Sequence, residues 1–437
     1  MKCKISFFLK ERQDRFKPKE AKELNLQRIE KITQNGEIFI SDKPSNTNMI
    51  LVKPGDLTLS GIGIAKGGGN SLNVYEGNKE VLATIHYSSY EIDEELISKE
   101  FLKIFLRSPY FRKLLQENCP GGIKAELKPK HFLPIELDLP SQEKQENIVQ
   151  KIQSIEKTIN QIVEQLPYDE NLLFKLKQAI LQEAMQGKLV KQDPKDEAAT
   201  ELLKKIKTEK GKLIKEKKIK KSKPLPPITK DEIPYELPKG WGWCRLQEAG
   251  LLERGKSKHR PRNDVKLFRN GIYPLVQTGD VAQAKKTSNI IKSFSSEYND
   301  LGLQQSRMWR RGTLCVTIAA NIAETGFLGM DACFPDSIVG YTDLVCTGTL
   351  SKYIAYYIAS VKNRLTDFAP STAQKNINLG ILNFLSFPMP PQKEQKRIIE
   401  KLDRLMKYCD ALEGKIKQSK TDSEKLMQAV LQETFEN

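Results

Sequence analysis

This 437-residue chain lacks the patterns that mark membrane-spanning, secreted, zinc-binding and disulfide-stabilised proteins. No run of about 18 apolar residues occurs, so we expect no membrane-spanning helix. The apolar run at the N-terminus is too short for a secretion signal. The seven cysteines form no CxxC pair, which disfavours both a zinc site and a disulfide framework. These absences favour a protein of the reducing cytoplasm.

Catalytic and cofactor motifs are missing as well. The sequence has only three histidines, a poor supply for acid–base chemistry. It contains no Asn/Asp-Pro-Pro-aromatic motif of amino methylation and no convincing Ser/His/Asp or Cys/His set. The segment GLLERGKS (250–257) matches the P-loop pattern literally, but its bulky residues and the nearby Pro261 disfavour a phosphate-binding loop before a helix. We therefore expect no catalytic residue, metal or cofactor here, with an ATPase at 250–257 as a minor alternative.

Positive charge, by contrast, is abundant. Lys and Arg total 71 against 55 Asp and Glu, a net charge of +16 that indicates a polyanionic partner. Residues 191–230 hold 14 Lys against six acidic residues, and they end in the Pro-rich KSKPLPPITK. We interpret 191–234 as a basic linker with a Pro-rich end. A solvated helical spacer and a DNA-gripping arm both remain open interpretations of it.

An internal repeat determines the expected architecture. PSQEKQENIVQKI (140–152) matches PPQKEQKRIIEKL (390–402) at five of 13 positions, and KLKQAILQE (175–183) matches KLMQAVLQE (425–433) at seven of nine. Both matches have the same offset of 250 residues, so the two halves carry copies of equal length.

The repeated segment is predicted to be a helix with a coiled-coil seam. Its apolar residues alternate at spacings of 4 and 3, a period of 3.5 residues. In the two copies they are Ile148, Ile152, Ile155, Ile159, Ile162 and Leu166, and Ile398, Leu402, Leu405, Cys409, Leu412 and Ile416. Two seams in one chain should pair with each other, although two amphipathic helices packed on their own domains would give similar patterns. We expect Pro167 to end the first helix and a second helix to run over about 171–186.

Each long helix is expected to follow a strand and a globular domain. Residues Ile135, Leu137 and Leu139 alternate like Leu385, Phe387 and Met389, and a proline follows each set. The fold class is therefore α+β, with two mixed globular domains and two long repeated helices in an antiparallel coiled coil of pseudo-two-fold character. The expected boundaries are 1–139, 140–190, 191–234, 235–389 and 390–437.

Polar loops in the globular parts are the candidate binding residues. Arginine, amide and hydroxyl side chains can read base edges, and Lys can neutralise phosphates. The candidates come from a Gly-rich loop, a basic loop, a turn after a short strand and a polar segment after Pro370. They are Lys66, Asn70, Lys256, Ser257, Lys258, Arg260, Arg262, Gln277, Thr278, Ser371, Thr372, Gln374, Lys375 and Asn376.

The order and spacing of several short motifs resemble the specificity (S) subunits of bacterial type I restriction-modification enzymes. These motifs are LPKGWGWCRL (237–246), PPQKEQKRIIEKLDRL (390–405), the earlier copy PSQEKQENIVQKI, and KQAILQEAMQGKLV (177–190). The first globular part shows no counterpart of LPKGWGWCRL, which suggests a different recognition subtype or a trimmed start.

The resemblance implies a non-catalytic subunit with two target-recognition domains, each of which reads one half of a split DNA sequence. It also implies that the paired helices form a spacer and dock two methyltransferase (modification) subunits. Restriction/translocase subunits are expected to join, with S-adenosylmethionine, ATP and Mg on those partners and no membrane. The competing hypothesis is a non-DNA coiled-coil scaffold that joins two ligand-binding domains; charge and loop composition favour the first.

Overall fold

The computed structural model describes residues 1–33, 36–60, 72–118, 129–345, 348–367 and 377–436. Two compact units divide it: Met1–Asp169 with Lys415–Asn437, and Glu170–Gly414. Each unit therefore contains part of both repeated segments. None of the described helices has both the length and the apolar character that crossing a membrane requires.

The first unit consists of small antiparallel-rich sheets and short helices that lead into a long helix. Its strands are β1 (Lys2–Lys4), β2 (Leu9–Glu11), β3 (Arg15–Phe16), β4 (Arg28–Ile32), β5 (Ile38–Ser41), β6 (Met49–Val52), β7 (Leu57–Ser60), β8 (Leu72–Val74), β9 (Val81–Thr84), β10 (Tyr87–Ile92) and β11 (Glu136–Asp138). Its helices are α1 (Pro18–Glu23), α2 (Lys99–Arg107), α3 (Pro109–Asn118), α4 (Pro129–Phe132) and the first part of α5 (Gln142–Met185).

The described strands of this unit form three sheets, in the orders β2-β10-β7-β8, β3-β6-β9-β4-β5 and β1-β11. The main core lies between the first sheet and α2 and α3, where the rings of Phe105, Phe111 and Phe132 pack on one another and on Tyr90. Ser98 begins α2 as an N-cap, since its side chain accepts the Phe101 backbone N–H.

The second unit likewise consists of small sheets and short helices joined to the long helices. Its strands are β12 (Gly242–Arg245), β13 (Leu251–Arg254), β14 (Tyr273–Leu275), β15 (Ile290–Ile291), β16 (Ser296–Tyr298), β17 (Met308–Trp309), β18 (Leu314–Thr317), β19 (Thr325–Leu328), β20 (Ala332–Cys333), β21 (Ile338–Thr342) and β22 (Ser386–Met389). Its helices are α6 (Ala199–Lys215), α7 (Thr278–Gln283), α8 (Asp300–Gln304), α9 (Thr349–Asp367), α10 (Leu379–Phe384) and α11 (Gln392–Glu436), the last of which continues into the first unit. The described strands form sheets in the orders β13-β21-β18-β19-β15, β16-β14-β20-β17 and β12-β22.

Both units join their sheets to the long helices with the same register. Cys3 of β1 lies opposite Leu137, and Cys244 of β12 lies opposite Phe387, its equivalent at the offset of 250. The expectation that the first globular part lacks a counterpart of LPKGWGWCRL is therefore wrong for the strand itself, because Lys2–Lys4 takes the place of Gly242–Arg245. Sequence comparison missed this because strand pairing uses backbone atoms and tolerates different side chains.

The two long helices pair antiparallel within each unit. In the first unit, Ile152 packs with Leu431 in one small core. In the second unit, Lys177 pairs with both Asp410 and Glu413, each at 2.9 Å. The coiled-coil expectation is confirmed.

One expectation about the helices is wrong, because α5 continues through Pro167 and forms a single helix of 44 residues. Proline inside a helix removes one backbone hydrogen bond and costs about 3 kcal/mol. Pro167 lies on the exposed side, and the buried residues Leu166 and Leu173 secure the helix on both sides of it.

Most of the predicted seam is buried or half-buried. Buried positions recur every seven residues in α5, at Ile152, Ile159, Leu166 and Leu173, and in α11 at Leu402 and Cys409, with Ser423 two such intervals further on. Ile398 is also buried, and Ile148, Ile155, Leu405 and Ile416 are half-buried. Ile162 and Leu412, equivalent positions, are 42% and 47% exposed, which corrects the seam at this point. A single partner helix covers only one line of side chains where no sheet packs beside it.

Candidate nucleic-acid interface

The basic loop of the second unit begins where strand β13 ends. Gly255 continues the pairing with β21, donating its N–H to the Ile338 carbonyl at 2.9 Å. A Cβ on Gly255 would lie 2.3 Å from the Pro335 carbonyl oxygen and 2.5 Å from that of Phe334, so any side chain here would displace backbone. The loop therefore leaves the sheet in close contact with the segment 334–336.

Three arginines of the loop converge on one carboxylate. Arg262 forms an ion pair with Asp336 at 2.7 Å, and Arg254 and Arg260 approach the same side chain at 4.0 and 3.9 Å. Arg254 also donates to the Asp336 carbonyl oxygen. Since one negative charge faces three positive ones, the cluster keeps a net positive charge.

Residues outside the loop fix its path. The Gln305 side-chain oxygen accepts the backbone N–H groups of Lys258 at 2.6 Å and His259 at 3.1 Å. The Ser306 hydroxyl donates to the Lys256 carbonyl at 2.9 Å. These contacts hold the Lys258 backbone while its side chain is exposed.

An aspartate steadies the far end of the loop. The Asp264 carboxylate lies 2.8 Å from His259 Nε2. The backbone N–H of Lys266 and the His259 ring together hold the pKa of Asp264 below its ordinary value. The Asp264 carboxylate therefore holds both the ring and the backbone at this end of the loop.

The predicted polar turn and the basic loop lie against adjacent residues at the end of β20. Val276 donates its N–H to the Cys333 carbonyl at 2.9 Å, and Lys256 donates its N–H to the Phe334 carbonyl at 3.2 Å. Gln277 follows Val276 directly, is exposed, and its amide lies 3.3 Å from the Ser296 hydroxyl. Thr278 begins α7, which Asp280 caps by accepting the Gln277 N–H at 2.7 Å. The structure thus gathers Lys256, Lys258 and Gln277 around one segment.

This arrangement suits contact with nucleic acid. Exposed ammonium groups can neutralise phosphates, and exposed guanidinium and amide groups can form paired hydrogen bonds with guanine or adenine edges. Arg260 and Arg262 remain about half exposed despite the Asp336 contacts. The nucleotide-binding alternative is wrong, because Leu251–Arg254 is a paired strand and cannot form the phosphate-binding loop.

Two of the candidate residues have burial or contacts that the sequence did not predict. Ser257 is only 7% exposed, because the tight turn after Gly255 directs this residue inward. Arg260 donates to the carbonyls of Ser257 and His259, at 2.6 and 2.7 Å, so part of its guanidinium supports the loop itself. Lys66, Asn70, Ser371, Thr372, Gln374, Lys375 and Asn376 lie outside the described residues.

A further arginine of this surface was not predicted from the sequence. Arg307 stacks over the Trp309 ring at 4.1 Å from its centroid and pairs with Glu253 of β13 at 2.7 Å. It follows Ser306, which holds the basic loop, and it remains partly exposed. The basic and aromatic run SRMWRR (306–311) is the signal that could have identified it.

A protein-family comparison identifies the second half of the chain. The family model described as "Type I restriction modification DNA specificity domain" matches residues 238–419. These residues belong to that family. The specificity domain thus includes the basic loop, the polar turn and the first part of α11, and the resemblance inferred from the motifs is confirmed.

Two curated relatives have names that are consistent with this family match. The chain is 35% identical over 254 residues to the type I restriction enzyme EcoAI specificity subunit of Escherichia coli, which covers 56% of this chain and 42% of that protein. It is 29% identical over 269 residues to the EcoEI specificity subunit of Escherichia coli, covering 59% and 44%. The chain therefore spans less than half of the length of these two relatives.

Solved structures show a likeness in fold over the full length of this chain. A chain from a type I R-M system, studied for its complex assembly and conformational transition, has a TM-score of 0.69 at 15% identity and covers 100% of this chain and 97% of its own. The crystal structure of an HsdS subunit from Thermoanaerobacter tengcongensis has a TM-score of 0.57 at 15% identity, covering 100% and 96%. At this identity the likeness establishes the fold.

Proposed function

We propose that the chain is the non-catalytic DNA sequence-specificity subunit of a type I restriction-modification system. The observation that carries this proposal is the specificity-domain match at 238–419, in which a basic loop and an amide-bearing turn lie against the adjacent residues Cys333 and Phe334. The net charge of +16 supports a polyanionic ligand. The similar curated proteins are named as specificity subunits, which disfavours the non-DNA scaffold.

The repeated architecture supports recognition of a bipartite target on double-stranded DNA. Each unit contains its own sheets and its own β-strand junction to the long helices, with matching registers. The loops differ between the units while these junctions are the same, so each unit would read a different half-site.

Partners would supply the chemistry. In this proposal the long helices dock two methyltransferase subunits, and restriction/translocase subunits join that complex. S-adenosylmethionine, ATP and Mg would bind those partners. Among the described residues, no group of His, Cys, Asp and Glu side chains is arranged to hold a metal ion.

Reconstitution with a type I methyltransferase subunit tests the proposal. We expect the purified chain alone to transfer no methyl groups from labelled S-adenosylmethionine to DNA. When it is combined with a type I methyltransferase subunit of the same host, the complex should methylate duplexes that contain one bipartite sequence. Methyl transfer by the chain alone, or equal methylation of all sequences by the complex, would contradict the proposal.

A further inference from the structure

The basic linker is a docked element rather than a free tether. Its helix α6 buries Ala199, Leu202 and Ile206 in the core of the second unit. At the start of the helix, Ala199 donates its N–H to the Gly240 carbonyl at 2.8 Å. Just before it, Asp196 pairs with Arg397 at 2.6 Å.

The far end of α6 is fastened to the same unit. The Lys210 ammonium donates to the Gln247 carbonyl, and its burial lowers the pKa of Lys210 to about 8. Beyond the helix, the Gln247 amide donates to the Lys223 carbonyl at 3.4 Å. Residues 215–223 therefore run between two attachments to the turn that precedes β13.

The Pro-rich end of the linker is held by a buried arginine. Arg245 is 3% exposed in its side chain and pairs with Glu232 at 2.7 Å. Its guanidinium also donates to the carbonyls of Pro226 and Pro227, both at 3.2 Å. This attachment fixes the chain that follows the lysine run.

The fixed segment carries a concentrated positive charge. Its sequence KEKKIKKSK contains six Lys and one Glu, and Glu216 pairs with Lys218 at 2.8 Å. Within the described ranges, Lys220, Lys221 and Lys223 have no carboxylate within ion-pair distance, and all three are exposed. The docked linker therefore presents unneutralised charge at a defined place, whereas a solvated spacer would disperse it.

We propose that the lysine run 215–223 binds the phosphodiester backbone of duplex DNA, independently of base sequence. This inference rests on the proposed function and adds a second kind of DNA contact to it. The run contains Lys but no Arg, Asn or Gln, so it has the point charges that suit phosphates and lacks the paired donors that read base edges. Protein–protein interfaces are depleted in Lys and depend on aromatic and Arg anchors, which this run lacks.

The position of the lysine run agrees with separate roles in phosphate binding and base reading. It is attached beside Gln247, before β13, whereas the base-reading loop begins at Gly255, after β13. The two basic surfaces thus lie at opposite ends of one strand. The run would hold DNA while the loop reads it.

Matched triple variants test the inference. In the first variant, Lys220, Lys221 and Lys223 are changed to Gln. In the control, Lys188, Lys191 and Lys195 are changed to Gln, which removes the same charge from exposed positions at the start of the linker and just before it. Binding of the full-length chain, purified with its methyltransferase, is measured against salt on a random duplex and on the mapped target.

The slope of the logarithm of the binding constant against the logarithm of the salt concentration should decrease in magnitude in the first variant. The decrease should be about 0.9 for each lysine that contacts a phosphate, or about 2.7 for all three. The fall should be equal on both duplexes, so the ratio of specific to non-specific affinity stays unchanged. Equal slopes in the variant and the control would overturn the inference. Loss of methyltransferase assembly with an unchanged slope would overturn it in favour of an acidic protein partner. Failure of the wild-type complex to prefer any sequence would instead refute the proposed function.

Discussion

Two buried glutamines secure the start of the long helices. The Gln145 amide donates to the carbonyls of Leu96 and Pro140, at 2.9 and 3.0 Å, and its oxygen accepts the Ser98 N–H at 3.0 Å. Gln395, its equivalent in the second copy, donates to the Pro390 carbonyl at 3.0 Å. Each glutamine joins a helix to the strand before it, and the one in the first unit also joins it to α2.

Replacing these glutamines should reveal the difference between them. We expect Gln145→Ala to destabilise its unit by about 1–3 kcal/mol, because buried backbone groups lose their partners. Gln395→Ala should cost less, since fewer hydrogen bonds are lost. Exposed Gln150→Ala serves as the control and should change stability by no more than about 0.5 kcal/mol. Thermal unfolding measures all three variants, and an equal loss from Gln145→Ala and the control would contradict the assigned role.

Gln277 should affect recognition rather than stability, because its side chain is exposed at the end of a strand. Loss of a base contact costs about 1–3 kcal/mol and relaxes specificity at that position. We expect Gln277→Ala to relax one half-site only, as mapped by methylation sequencing, whereas exposed Gln283→Ala, in the helix α7 that begins directly after Gln277, leaves both half-sites intact. Relaxation in both halves would show that the two units do not divide the target.

Some properties of the basic loop are evident from the sequence, and others arise only in the folded chain. A run such as RGKSKHRPR (254–262) shows its charge and small residues directly. Its principal counter-charge is Asp336, 74 residues beyond Arg262, and only folding brings the two side chains together. For the same reason the inward direction of Ser257 follows from strand geometry and the close contact at Gly255, neither of which the local sequence reveals.

At the scale of elements, the repeat made the long helices predictable. The offset of 250 and the seven-residue recurrence of apolar positions identified both partners of the coiled coil. Helix ends were less predictable, because tertiary packing on both sides of Pro167 outweighs the local cost of a proline. The counterpart of β12 in the first unit was not predicted from the sequence for a similar reason. Cys3 and Cys244 occupy equivalent registers in their strand pairs, but the sequences around them differ.

Removing the internal proline should stabilise α5. Pro167→Ala restores a backbone donor and helix propensity, so we expect a gain of up to about 3 kcal/mol in the free energy of unfolding. Glu170→Ala, at an exposed position of the same helix, is the control and should be nearly neutral. Denaturant unfolding gives both values. A loss of stability in the proline variant would indicate that the helix depends on a local distortion at this residue.

At the scale of the whole molecule, the helices are proposed to set the gap between two half-sites. Helix α5 has 44 residues, and at 1.5 Å per residue it is about 66 Å long. Inserting four helix-forming residues after Gln178 and after Gln428, equivalent positions of the two copies, adds about 6 Å to each helix. We expect the unread gap to grow by one or two base pairs, at about 3.4 Å per pair, with unchanged half-sites.

The control for this insertion replaces four exposed residues at each site without a change in length, and it should leave the gap as it was. Methylation mapping compares the two variants. An unchanged gap in an active insertion variant would show that the helices do not set the distance.

Methylome sequencing of the host, with and without this gene, tests whether the chain determines where DNA is methylated. If the chain is a type I specificity subunit, deletion should abolish methylation at one bipartite motif, two unlike half-sites separated by an unread gap, and return of the gene should restore it. Replacement of the gene by the Gln277→Ala form should restore the same motif with one relaxed half. An identical set of methylated motifs in the presence and absence of the gene, with a partner methyltransferase expressed in both, would show that the chain does not direct methylation.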